Sequence, residues 1–335
     1  IHGLIRDKEG RKMSKSLGNG IDPMDMIEKY GVDSLRYYLA TDCALGTDLR
    51  FDETKMASTW NFINKLWNAS RFTLMNIETL QEIDFKTLTD VDKWILTKYE
   101  NIIKSITKHM DKYEFNLVGS ELYNFIWEDF CSNYIEYSKF NLANLSTKST
   151  LLYVLTGILK MLHPFMPFVS EEIYDMLPIK DSKSIMISNY PEVDKKLIFK
   201  DAYLKVEQII DFVKVFRNIK QENNIGHDFK VKITTIDPLI IKLLKLDDKI
   251  TEEELNITKY HVSNNIYTLD LYFEKIITEE DEKLKEKQIE TLKANILRRE
   301  KLLSNEGYLN KAPKELVLSE QEKLKQEKAL LETLV

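Results

Sequence analysis

A chain of 335 residues with only 10 Gly and 7 Pro is too poor in turn formers for an all-β protein and too long for a single core, so two or three mostly helical domains are expected. Cys43 and Cys131 lie far apart with no CxxC pairing, which argues against a zinc knuckle or a disulfide framework and fits a reduced, cytoplasmic setting. A net charge of -6, no signal peptide and no apolar run near the ~20 residues of a membrane span leave the membrane without a case and confine any nucleic-acid binding to local basic patches.

Ile1 to Ile5 is short, apolar and β-compatible, and Arg6 to Arg11 after it reads as a polar hairpin tip. The chain opens on Ile1 rather than Met inside this strand, so we expect a part of a longer protein, with the strand's partners missing or supplied elsewhere. Lys12-Met13-Ser14-Lys15-Ser16 follows, then Leu17-Gly18-Asn19. Two ammonium groups, two hydroxyls and backbone N–H groups within five residues suit one anionic ligand, and a polyphosphate is the natural candidate. Asp22-Pro23-Met24-Asp25 is a helix start, with Asp22 as N-cap and Pro23 in the first position. That helix ends at Tyr30-Gly31, and another begins near Asp33.

Gly46 to Glu53 reads as a polar connection into a long helix, on which Trp60, Ile63, Leu66, Trp67 and Leu74 fall near helical spacing; core packing is the expectation for the tryptophans. Amphipathic helices follow from Asp92 to about Lys108 and from Phe115 to Tyr137, the second carrying an aromatic stripe that reads as bundle interior. A fourth spans roughly Thr150 to Leu162 and stops at His163-Pro164, with a restart at Ser170 and a structural role expected for His163. Leu204 to Lys220 closes the block, with Arg217, Asn218 and Lys220 at its end. From Phe229 to Phe273 the pattern becomes that of a small α/β module, with strands at Lys230–Ile236 and Ile266–Phe273 around a helix at Leu239–Leu246.

Beyond Thr278, Ile289, Leu292, Ile296 and Leu303 keep a/d spacing with Arg299 interrupting, and Val317, Leu324 and Leu331 repeat every seven residues. A breaker from Ser304 to Pro313 between them predicts an antiparallel coiled-coil hairpin. Its far end is locally basic, with Lys293, Arg298, Arg299, Lys301, Lys311 and Lys314 against Glu300 and Glu306. A basic tip on an extended arm suits a phosphate backbone.

The Lys12–Ser16 motif with its flanks resembles that of class I aminoacyl-tRNA synthetases. Within them the chain is similar to the valyl type, through His2-Gly3-Leu4, Gly18-Asn19-Gly20-Ile21-Asp22-Pro23, Asn64-Lys65-Leu66-Trp67-Asn68, His163 to Phe168 and the hairpin tip Leu303 to Tyr308 with Lys311-Ala312-Pro313. The resemblance covers essentially all 335 residues but only the C-terminal part of such an enzyme. It implies a mainly α fold: the end of a Rossmann-type catalytic domain (1–50), a connecting helical segment (51–83), a helical-bundle anticodon-binding domain (84–225), a small α/β module (226–275) and a coiled-coil tRNA-binding arm (276–335).

It further implies ATP as cosubstrate, with Mg2+ as the usual phosphate counter-ion and no metal site in this chain. Lys15 would stabilise charge on the departing pyrophosphate, and Lys12, Ser14 and Ser16 would shape the loop and add phosphate contacts. Arg217, Asn218, Arg298, Arg299, Lys311 and Lys314 become candidates for tRNA contact, with valine and a missing N-terminal half as further partners and a cytoplasmic monomer expected. The His-x-Gly-His signature of the class does not occur, so the isolated chain is expected to be inactive in valine activation. Two alternatives stand beside this: a non-catalytic tRNA-binding protein built from a synthetase's C-terminal half, and an isoleucyl- or leucyl-type enzyme.

Overall fold

Residues 4 to 51 close through a parallel pair of strands in the computed structural model, which describes residues 3–77, 83–274, 279–304 and 314–334. β1 (Ile5–Arg6) lies beside β2 (Leu49–Arg50), with Ile5 opposite Leu49. Parallel strands need a long crossover. Here it contains the Lys12–Ser16 loop, α1 (Pro23–Tyr30) and α2 (Val32–Thr41). The stretch read as a polar connection thus supplies a partner for the first strand: Leu49 and Phe51 are buried with Leu35, Tyr38 and Met56. Two residues of strand are too few to show a period in the sequence.

Local chemistry sets the helix starts. The Asp22 carboxylate accepts the Met24 N–H at 2.8 Å with Pro23 in the first turn, as predicted, and Asp52 caps α3 (Glu53–Met75) through the Thr54 N–H at 3.0 Å. α4 (Asp90–Asp111) opens on a reciprocal box between Thr89 and Asp92. Asp92 also accepts from the Tyr134 hydroxyl at 2.7 Å and the Thr147 hydroxyl at 2.8 Å, so one fully buried carboxylate ties three helical segments together.

The segment expected as one α-helix from Phe115 to Tyr137 is three pieces: α5 (Phe115–Asn124), a ten-residue π-helical run (Phe125–Tyr134) and α6 (Ile135–Ser138). Wider turns of this kind are rare, and here the Ser132 hydroxyl donates to the Trp127 carbonyl five residues back at 2.7 Å. Lys65 braces the run from α3, donating to Ser132 at 2.8 Å with its ammonium 3.8 Å from the Trp127 ring centroid.

α7 (Leu145–Leu162) starts five residues before the expected Thr150, because Asn144 caps it through the Ser146 N–H. α8 (Pro167–Asp175) starts at Pro167 rather than Ser170, its first N–H groups taken up by Asp33, which accepts from Val169 at 2.7 Å and Phe168 at 3.3 Å. His163 sits 2.8 Å from the Ser170 hydroxyl, in keeping with the structural role expected of it. The main core packs Trp94, Ile95, Leu122, Ile126, Phe130, Leu155 and Ile158, with α9 (Lys200–Glu222) adding Val206 and Ile210.

After α9 come β3 (Phe229–Thr235), α10 (Pro238–Leu244), β4 (Thr258–Ser263) and β5 (Thr268–Phe273), with sheet order β3-β5-β4. β4 was invisible in the sequence because only Val262 of its six residues is buried, leaving no alternation to detect. α11 (Glu279–Leu303) and α12 (Lys314–Leu334) pack along each other as the predicted hairpin. The chain divides into two compact units: Ile1–Phe216 with Ile233–Asp248 and Val262–Leu269, and Arg217–Lys232 with Lys249–His261 and Asp270–Val335.

Candidate functional site

The Lys12–Ser16 loop is anchored through its methionine and its first serine, and open through its lysines. Met13 packs on the small core of Leu35, Tyr38, Phe51 and Met56. Lys15–Leu17 forms one 3-10 turn that Ser14 caps, its hydroxyl accepting the Leu17 N–H at 3.3 Å and lying 3.1 Å from the Ser16 hydroxyl. Gly18 ends the turn at φ 61, a conformation that disfavours a side chain. Lys12, Lys15 and Ser16 are exposed, and neither lysine has an acidic partner among the described residues. The loop therefore presents two unneutralised ammonium groups on a fixed backbone.

Its base is held by Asn19, which the sequence reading placed in the flank of the motif without a role, and by Asp7, which it did not single out. Asn19 accepts the Ser14 N–H at 2.9 Å and donates to the Asp7 carboxylate at 2.8 Å and the Lys12 carbonyl at 3.3 Å. Asp7, 6 % exposed, also accepts the Arg11 N–H and guanidinium, each at 2.7 Å. Burial alone would raise the Asp7 carboxyl, but the bonds from Asn19 and Arg11 outweigh it and lower the pKa to about 2. The two ends of the loop are thereby joined across twelve residues by one carboxylate and one amide.

On α3 the expectation for the tryptophans fails. Trp60 and Trp67 are 47 % and 39 % exposed, while Phe62, Leu66, Ala69 and Thr73 face the core. At ~100° per residue the tryptophan side lies opposite the core side, and Asn64, Asn68 and Arg71 share it. Two open indoles, two amides and a guanidinium on one helical face form a surface suited to unstacked nucleobases.

The candidate basic residues part company. Arg217 and Asn218 are exposed near the end of α9. Arg298 is exposed on α11, whereas Arg299 turns toward α12 and pairs with Glu320 and, at 2.9 Å, with Glu327. Its guanidinium is occupied within the hairpin, as expected of an a/d position, which faces the partner helix whatever its charge. Lys314 opens α12, and Lys311 lies outside the described residues. Among the described residues no cluster of His, Cys, Asp and Glu is arranged to hold a metal ion, and no helix is long and apolar enough to cross a membrane.

Residues 92–235 match the family of anticodon-binding domains of tRNA ligases, and residues 1–52, which contain the loop, match the class I tRNA synthetases of the I, L, M and V group. The chain belongs to the class I tRNA synthetases. Valine–tRNA ligase of Anoxybacillus flavithermus is 42% identical over 348 residues, covering 96% of this chain and 40% of that enzyme. The Bacillus subtilis counterpart is 41% identical over 350 residues, with 97% and 40% covered. The solved ternary complex of Agrobacterium radiobacter K84 AgnB2 LeuRS with tRNA and LeuAMS matches at a TM-score of 0.50 and 20% identity, over 59% of this chain and 24% of that one, a likeness of fold. This synthetase chain spans about two fifths of the length of the curated relatives it matches.

Proposed function

We propose that this chain supplies the phosphate-clamping loop and the tRNA-binding domains of a valine–tRNA ligase. The observation that carries the reading is the anchored Lys12–Ser16 loop with both lysines open, set in a sequence 42% identical to a valine–tRNA ligase along 96% of its length. In the reaction, an amino-acid carboxylate attacks the α-phosphorus of ATP and negative charge grows on the departing pyrophosphate. Lys15, exposed on the rigid turn, meets that charge, and Lys12 adds a second ammonium from the same loop. Ser14 keeps its hydroxyl on the Leu17 N–H and so shapes the loop, leaving the Ser16 hydroxyl for the phosphates. Mg2+ would arrive on the nucleotide as the usual counter-ion of its phosphates. The catalytic remainder, the bundle, the small module and the arm occupy residues 1–50, 84–225, 226–275 and 276–335, with 51–83 connecting the first two. The outer face of α3, together with Arg217, Asn218 and Arg298, contacts tRNA.

Joining the chain to the preceding three fifths or so of the Bacillus subtilis relative tests this by valine-dependent ATP–pyrophosphate exchange. The chimera is expected to be active, Lys15→Ala in it to lose about 100-fold or more, and the isolated chain to show no exchange. Exchange by the isolated chain, or a chimera indifferent to Lys15→Ala, would contradict the reading.

A further inference from the structure

The helical bundle carries a cavity of about 630 Å³ that plays no part in the proposed reaction. It opens between α4, α7 and the segment after α8. Phe85, Tyr99, Tyr153 and Tyr190 form its aromatic wall. Tyr99 and Tyr153 meet edge to face at 5.4 Å, and Tyr153 and Tyr190 are each 37% exposed. Gly157 permits the arrangement, since a Cβ there would stand 1.8 Å from the Tyr99 hydroxyl oxygen.

The charges around it are one-sided. Asp181, Glu192 and Asp194 line the cavity against Lys160 alone, and Lys160 is already paired with Asp181 at 2.7 Å. Glu192 is exposed, with no partner among the described residues. Behind the wall Glu100 is 1 % exposed: one carboxylate oxygen accepts the Asp194 N–H at 2.7 Å, and the other has no hydrogen-bond partner. Burial, with Glu100 and Asp194 nearby, pushes the Tyr153 phenol up to about 12.

Electron-rich ring faces attract cations, and methylene runs lie well along them. An anion would be repelled by Glu192 and Asp194, and a neutral apolar guest would leave their charge unbalanced. A cavity of this volume holds a small molecule rather than a folded partner. We propose that this cavity binds a linear aliphatic polyamine, its methylenes against Tyr99, Tyr153 and Tyr190 and its ammonium groups drawn to Glu192 and Asp194.

Calorimetric titration of the whole chain with spermidine at constant ionic strength tests the proposal. Saturable binding is expected, weakened about 5- to 30-fold by Tyr153→Ala, as loss of a partly desolvated cation–aromatic contact implies. Glu192→Gln, a surface change that leaves packing alone, should weaken it as well and carries the test if Tyr153→Ala fails to fold. The uncharged diol of matching chain length should not bind. Absence of saturation, equal binding of the diol, or spermidine affinity unchanged in a folded Glu192→Gln variant would overturn the assignment. Displacement of spermidine by no cation other than a basic peptide that binds far more tightly would overturn it too, giving the cavity to a protein partner.

Discussion

Asn19 joins the loop to its own base through three hydrogen bonds, to Ser14, Asp7 and Lys12. Asn19→Ala removes all three, and loss of roughly 1.4 kcal/mol of local order raises the open population about tenfold. Trypsin should then cut after Lys12 and Lys15 about tenfold faster; an unchanged rate would show that Asn19 does not hold the loop. Because the Asp7 carboxyl is depressed to about 2, its contribution is present at neutral pH and is lost only as pH falls through that value. Two other carboxyls titrate in the opposite sense: burial raises Glu100 to about 7, and burial opposed by Lys98 raises Asp129 to about 6. The folded chain keeps protons there that the unfolded chain has released above the ordinary carboxylate range, so stability falls as pH rises from about 4 to 7. Glu100→Gln should flatten that slope and gain about 1–3 kcal/mol in urea melts near pH 8, and an unaltered slope would refute it. The Lys12–Ser16 motif was legible because its chemistry lies in five consecutive residues. Asp7 with Asn19, and the burial of Glu100 on an ordinary-looking helix, depend on contacts that no local pattern announces.

Among the elements, those with a buried stripe were the easiest to foresee. α4, α7 and α9 appear where apolar residues recur at helical spacing, and the starts of α4 and α7 moved because capping by Thr89 and Asn144 begins them earlier than the apolar stripe does. The tryptophans of α3 misled because spacing shows that two residues share a face without saying which face is inward. The π-helical run escaped because its wider turns rest on bonds such as Ser132 to Trp127, not on residue type. Two element-scale outcomes follow. Trp60→Ala with Trp67→Ala should leave the melting temperature unchanged while weakening tRNA about tenfold, the loss expected when a stacking surface is removed; destabilisation without loss of binding would restore the core reading. In the hairpin, Arg299→Ala should speed amide exchange along α11 and α12 because it frees Glu320 and Glu327. Arg298→Ala should leave exchange unchanged and lower the salt slope of tRNA binding by about one counterion, and reversed roles for the two arginines would contradict their placement.

At the scale of the molecule, a loop with two open lysines and helical surfaces with open aromatic and basic residues occur in one chain of the class I tRNA synthetases, a chain that spans about two fifths of its curated relatives. Each of the two units has its own buried residues: the aromatic bundle in one, and in the other Val231, Phe273 and, on α11, Ile296. Under the proposed function, affinity for RNA in a chain of net charge -6 comes from placed groups and not from bulk attraction. Discrimination among tRNAs is therefore the sharpest test. Filter binding should compare a valine-accepting tRNA with the same molecule carrying another anticodon. The account predicts that the first binds at least about tenfold more tightly, the margin expected of one or two lost base contacts, with log affinity falling linearly against log salt for both. Equal affinity for the two, or no measurable binding of either, would contradict it.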